Sequence, residues 1–177
     1  IYTCLKELIV NAVKANFKSI YFEDYNPKNE ADKVIGYELG LKLFKLEMSH
    51  QNASYLKELA EKNNMKAEIS LGIIDNVLFV EVTNPVAMTK TEKNNVKKKI
   101  NDSQSLHDIT EYFLDIEQDP TREGAGLGLV LISIMLKSLG AEEQLSITSS
   151  NNKTVAKFSI SLTEKTVERY NLSAELL

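Results

Sequence analysis

A chain of 177 residues, 43% of them apolar, can fill one sizeable core, so a single domain over residues 1–177 is expected. A formal charge of −4, with lysines dispersed among acids, excludes a general nucleic-acid binder, which needs a basic face to neutralise phosphate. The single cysteine, Cys4, excludes an internal disulfide and a cysteine-built zinc site and points to a reducing, cytoplasmic address.

Residues 2–16 carry Leu5, Leu8, Ile9, Ala12 and Val13 at helical spacing, with Glu7, Asn11 and Lys14 gathered on another side. Because helix is already expected at the first residues, the sequence is read as part of a longer protein. The stretch "SIYFED" reads as a short strand, followed by turn chemistry at Asn26, Pro27 and Asp32. Helical periodicity returns over residues 34–48 and 53–63. "KAEISLGII" and "NVLFVEVTN" then form a hairpin about Asp75-Asn76, in which Leu78, Val80 and Val82 alternate with Phe79, Glu81 and Thr83.

Residues 86–122 shift to lysine, asparagine, serine and aspartate and read as a long mobile excursion with two short helices, over 90–100 and 106–116. A helix follows the glycine-rich "GAGLGL" and ends at Gly140, a C′ residue. Its apolar run, around residues 127–136, is about half the length of a membrane span, so no membrane contact is expected of this domain. An anchor would belong to another part of the protein. A second hairpin, "QLSITSS" and "TVAKFSISL", turns at Asn151-Asn152, and a last helix is expected from residue 164. Hairpins alternating with helices predict an α/β (α+β) two-layer sandwich, with a mixed, mainly antiparallel sheet and helices on one face.

Two motifs carry chemistry. Glu7, Asn11 and Lys14 stand at i, i+4 and i+7, so a carboxylate, a carboxamide and an ammonium share one helix face. That pattern also suits a solvated surface, but asparagine is a poor mid-helix residue. A carboxamide oxygen is a hard ligand suited to magnesium, and a lysine suits phosphate. The second motif is Gly124-Ala125-Gly126-Leu127-Gly128. It is no P-loop, because Leu129 and Val130 follow where Lys and Ser/Thr are required, and no dinucleotide fingerprint, because position 129 is not glycine. A backbone cradle for an anion at a helix N-terminus and a plain hinge into a core helix both remain open.

Together, "ELIVNAVKAN" and "GAGLGL", separated by a hairpin and a polar excursion, resemble the ATP-binding catalytic domain of sensor histidine kinases. That family belongs to the GHKL superfamily, shared with gyrase, a mismatch-repair ATPase and a heat-shock chaperone. The resemblance covers residues 2–16 and about 67–163 and leaves 18–66 as an insertion. It implies the Bergerat fold, ATP and magnesium as ligands, and transfer of the γ-phosphate to a histidine. That histidine would sit on a dimerisation domain of the same or a partner chain, with a response regulator downstream. By position, Asn11 would coordinate magnesium, Glu7 would polarise the attacking nucleophile, and Lys14 would reach a phosphate. Gly124, Gly126, Leu127 and Gly128 would form the second glycine box, Arg122 would touch the γ-phosphate, and Thr154 would lie near the adenine. Residues 86–122 would be the ATP lid.

The sequence departs from the family at the adenine box. In place of Asp-x-Gly-x-Gly it has Asn84-Pro85-Val86-Ala87-Met88. Asn84 retains an acceptor for the adenine amino group but gives up charge assistance, worth on the order of 1 kcal/mol. Val86 and Met88 replace the glycines, so either the chain leaves the sheet differently or nucleotide binding is degraded. The glycine of the last hairpin is also absent, with Asn152 and Lys153 there. Neither His50 nor His107 has the setting of a phosphoacceptor, and both read as surface residues. The run Lys97-Lys98-Lys99 reads as the wet face of a helix. Two alternatives remain beside the histidine kinase: an anti-sigma-factor-type serine kinase, and a pseudokinase scaffold acting through residues 18–66.

Overall fold

A computed structural model describes residues 1–23, 39–46, 48, 53–105, 127–141 and 145–163. Helix α1 (Tyr2–Glu23) buries Cys4, Leu8, Ala12, Asn16 and Ile20, a row at every fourth position along one face. The strand expected at "SIYFED" is corrected: residues 19–23 continue the helix. Local β-propensity there yields to burial, because Ile20 extends the row and Tyr21 rests against Phe44, ring centroids 5.6 Å apart. Phe44 belongs to helical residues 39–46, the described part of the helix expected over 34–48. Helix α2 (Ala53–Lys62) packs on α1 and buries Leu56 and Ala60. It ends on left-handed Asn64, with Met65 N donating to Ala60 O and Asn64 N to Glu61 O, a Schellman closure. The segment read as an insertion is therefore tied to α1 at its described ends.

The sheet comprises β1 (Glu68–Ile74), β2 (Val77–Asn84), β3 (Ser146–Ser150) and β4 (Lys153–Ser161), in the order β1-β2-β4-β3. All its described pairings are antiparallel, so the parallel component expected of a mixed sheet is not found among the described residues. Both hairpins turn where the sequence predicts. Asp75 and Asn76 take φ of 48° and 62°, and Asn151 and Asn152 take 50° and 58°, the doubly left-handed pattern of type I′ turns.

Leu78, Val80 and Val82 of β2 stand opposite Ile160, Phe158 and Ala156 of β4. This face packs on Cys4, Leu8 and Ala12 of α1 and on Leu129, Ile132 and Leu136 of α4 (Leu127–Ser138). The molecule is thus an α+β two-layer sandwich, as the hairpin and helix pattern predicts. α4 closes with a second Schellman motif: Ala141 N donates to Leu136 O and Gly140 N to Lys137 O, with Gly140 at φ 64°. Helix α3 (Lys90–Ser105) packs on α4 and sends Val96 and Ile100 into the core. Residues 90–105, read as part of a mobile excursion, are therefore a docked helix five residues longer than expected. The helix expected over 106–116, and the one from residue 164, lie outside the described residues.

β1 differs from its neighbours. Ile69, Leu71 and Ile73 pair with Val82, Val80 and Leu78 and so share the core-side face, yet they are 47%, 59% and 64% exposed.

Candidate functional site

Glu7, Asn11 and Lys14 project from α1 beside its buried row. The first two are half-buried and the third is exposed. α4 crosses α1 so that Gly128 lies directly on the Glu7 carboxyl group. A Cβ at position 128 would collide with Glu7 Oε2 and stand 3.3 Å from Glu7 Cδ. Gly128 is helical with no left-handed φ, and a side chain there would require the end of the Glu7 side chain to shift. Gly128, the last residue of the glycine motif, thus meets the carboxylate of the first motif near the described start of α4. Leu127, half-buried, packs on Val130 at the side of α4. Gly124, Gly126 and Arg122 lie outside the described residues, as do His50 and His107.

Further along α1 lies a neutral pair. Asn84, the last residue of β2, is paired with Thr154 and only 4% exposed. Its Nδ2 donates to Asn16 Oδ1 at 3.3 Å, and Asn16 Nδ2 donates to the Met65 carbonyl at 3.5 Å. Two hydrogen bonds steer the chain off the sheet: Thr154 Oγ1 donates to Val86 O at 2.6 Å, and Met88 N donates to Ser149 Oγ at 2.8 Å. Neither Val86 nor Met88 is left-handed. The segment that replaces the glycine box therefore leaves the sheet by strand-anchored hydrogen bonds instead of positive φ. Met88 lines a cavity of about 240 Å³ between α3 and β3, with Val96, Ile100 and Ile147 as its apolar wall.

Lys18 continues the Glu7, Asn11 and Lys14 stripe by one more turn and ion-pairs with Glu92 of α3 at 2.6 Å. Glu92 also accepts from Thr89 N at 2.8 Å and Thr89 Oγ1 at 2.9 Å, while Thr89 Oγ1 accepts from Glu92 N at 3.2 Å, a reciprocal capping box. Burial pushes the Glu92 carboxyl up, but hydrogen bonds from Lys18 and Thr89 and the charge of Lys18 prevail, leaving it below the usual carboxylate range. Burial raises the Cys4 thiol, which removes it as a nucleophile.

Sequence reasoning missed Asn16, Lys18 and Glu92, although signals existed for each. Asn16 is a mid-helix asparagine on the apolar row, Lys18 lies on the established polar stripe, and Thr89-Lys90-Thr91-Glu92 has capping-box spacing.

Among the described residues no three His, Cys, Asp or Glu side chains converge to hold a metal. A divalent ion here would draw its ligands from phosphate, water and the Asn11 and Glu7 oxygens, the sparse protein ligation that suits magnesium. Asn11 and Glu7 are both half-buried on α1 and carry the hard oxygen donors that such an ion would take.

No protein-family model matches the chain. It is 33% identical over 147 residues to a protein of Treponema pallidum (strain Nichols) described as uncharacterized, a match covering 80% of this chain and 27% of that protein. The chain thus spans about a quarter of that relative's length. No helix among the described residues is long and apolar enough to cross a membrane.

Proposed function

We propose that the chain is an ATP-binding catalytic domain of the sensor histidine kinase type. It would act in the cytoplasm, pass the γ-phosphate of ATP to a histidine on a dimerisation domain, and so serve a response regulator. The observation that carries this reading is the contact between Glu7 and Gly128. Glu7 of one motif and Gly128 of the other, widely separated in sequence and each ambiguous alone, are in contact where α1 meets the start of α4.

In this reading Asn11 and Glu7 face the phosphates from α1, and Lys14 offers them a cation. Glu7 accepts or polarises the proton of the attacking nucleophile, held in place by the absence of a side chain at position 128. Magnesium, when bound, supplies positive charge against the phosphate oxygens. Such phosphoryl transfer asks the protein mainly for positioning and charge stabilisation, so fixed placement of these groups is the relevant contribution.

Calorimetric titration with a non-hydrolysable ATP analogue, with and without magnesium, tests the reading. Binding should depend on magnesium and weaken in Asn11→Ala by at least about tenfold, the scale of losing even an outer-shell metal contact. No heat at millimolar nucleotide would sink it. Acid-labile phosphate on the partner separates the histidine kinase from a serine kinase.

A contact role, as in a pseudokinase scaffold, has one observation in its favour. Ile69, Leu71 and Ile73 on β1, and Leu39, Leu43 and Leu46 at helical spacing, leave two apolar rows exposed.

A further inference from the structure

The cavity between α3 and β3 lies apart from the residues assigned to phosphate and base: Glu7, Asn11, Gly128, Asn84 and Thr154 do not line it. Val96 and Ile100, one turn apart on α3, face Ile147 of β3 across it, and Met88 closes one side. All four are half-buried. Met88 is held there through its backbone, whose N–H donates to Ser149 Oγ at 2.8 Å. At about 240 Å³ the cavity exceeds the roughly 150 Å³ in which an apolar protein interior binds benzene, so it has room for one ring and a small substituent. A methionine in the wall suits a ring, because the polarisable thioether packs favourably on aromatic edges. A whole nucleotide is too large for it, since drug-sized ligands occupy pockets of about 300–1,000 Å³.

The rim has a definite sign of charge. Lys93 and Lys97, again one turn apart on α3, stand there with Ser149 and Asn101. Lys93 Nζ donates to the Ser149 carbonyl at 3.0 Å, which draws the ammonium across from α3 to β3 and uses one of its three donors. Ser149 Oγ accepts from Met88 N and keeps a hydroxyl hydrogen of its own to donate. The whole chain has 25 acidic against 21 basic residues, yet among the described residues the lining holds two lysines and no acid. An apolar wall behind a cationic rim complements a ligand with an apolar body and one negative end.

We propose that this cavity is a binding site for a small aromatic monocarboxylate. The ring lies against Met88, Val96, Ile100 and Ile147, and the carboxylate meets Lys93 and Lys97 at the rim. The site is independent of the nucleotide-binding reading, because it uses none of the residues that carry the phosphates there.

The test is titration of the full 177-residue chain with benzoate, followed by the methyl resonances in NMR spectra. The Met88, Val96, Ile100 and Ile147 methyl groups should shift and saturate with a Kd of about 1 mM or below, within reach of a ligand of this size. Benzamide has the same shape without the charge and should bind at least about threefold more weakly, the scale of an ion pair open to solvent. Acetate, with the charge but no ring, should give no saturable shift in these methyl groups. Lys97→Gln should narrow the difference between benzoate and benzamide and leave benzamide affinity unchanged, whereas a general loosening of α3 would weaken both alike. Equal affinities for benzoate and benzamide in the unaltered protein would overturn the proposal, as would an unchanged difference in a folded Lys97→Gln. Shifts that do not saturate, or that fall on other methyl groups, would remove the site altogether. The unaltered protein decides these points by itself, so a misfolded variant does not shield the idea. Failure of the chain to bind magnesium nucleotide would sink the kinase reading and leave this site standing.

Discussion

On one side, where α1 meets α4, the Glu7 carboxylate lies against Gly128, and a Cβ at position 128 would force it to move. On the other, two neutral carboxamides run in series from a peptide carbonyl to the end of β2. The first side is built from charge and missing bulk, the second from direction without charge. In the proposed reading the charged side would serve phosphate, whose stabilisation requires field strength.

The sharpest way to break the comparison is at Glu7. Glu7→Gln keeps the shape but removes the proton acceptor, and phosphoryl transfer by the full-length protein should fall about 10²- to 10⁴-fold. Affinity for a non-hydrolysable ATP analogue should change little, which assigns the loss to the chemical step.

Gly128→Ala comes next. Alanine is a better helix former than glycine, by up to about 1 kcal/mol in a helix interior and less in a first turn, so thermal stability should hold or drop only slightly. The methyl group nevertheless displaces the Glu7 carboxyl, and misplacing a catalytic group by about an ångström costs on the order of 10²-fold in rate. Intact melting with lost turnover would mark position 128 as glycine for the site. Intact turnover would show that the contact is only packing.

On the neutral side, Asn84→Asp sharpens the contrast by introducing charge. Asn16 must then donate to either the new carboxylate or the Met65 carbonyl, leaving the other without its donor. Unfolding stability in urea should fall by about 1–3 kcal/mol, the usual result of one buried unpaired polar group. An undiminished stability would mean that the amide series is not a structural constraint.

The charged side was the more legible in sequence because its parts are short, local patterns. Glu7, Asn11 and Lys14 share a helical period, and a glycine cluster is conspicuous in any chain. Both turns were also visible, since Asp75-Asn76 and Asn151-Asn152 are residue types that tolerate left-handed backbone. The end of α1 was not: "SIYFE" has strand-like residues, and only its contact with Phe44 and the continuing buried row make it helical. The neutral side was legible only as a departure from the resembled family's pattern. Its explanation depends on Met65, which joins Asn16 across 49 positions of sequence by a backbone atom that has no sequence signature. Reading residues 90–105 as part of a mobile excursion missed their docking for a similar reason. Val96 and Ile100 are two apolar residues in a polar stretch, and their burial depends on α4 and the sheet.

The smallest expected effect lies where the two sides are joined, at Lys18 and Glu92. The Glu92 carboxyl sits below its ordinary range in the folded protein, so between its folded and unfolded values the unfolded chain binds the extra proton. Its contribution to stability is therefore complete above the unfolded carboxylate value and disappears as pH falls through the folded one. The pair is partly open to solvent, with side-chain exposures of 22% and 34%, so the ion pair is worth no more than about 1 kcal/mol. Losing the cap in Thr89→Ala should cost about the same. Urea denaturation in a series from neutral to about pH 3 should show Glu92→Gln less stable than the unaltered protein near neutrality. The two should converge once Glu92 is protonated. Parallel curves throughout would mean that Lys18 and Glu92 touch without coupling α1 to α3. The charged stripe would then end at Lys14, and α1 would be held to β2 by the apolar core and the buried amides alone.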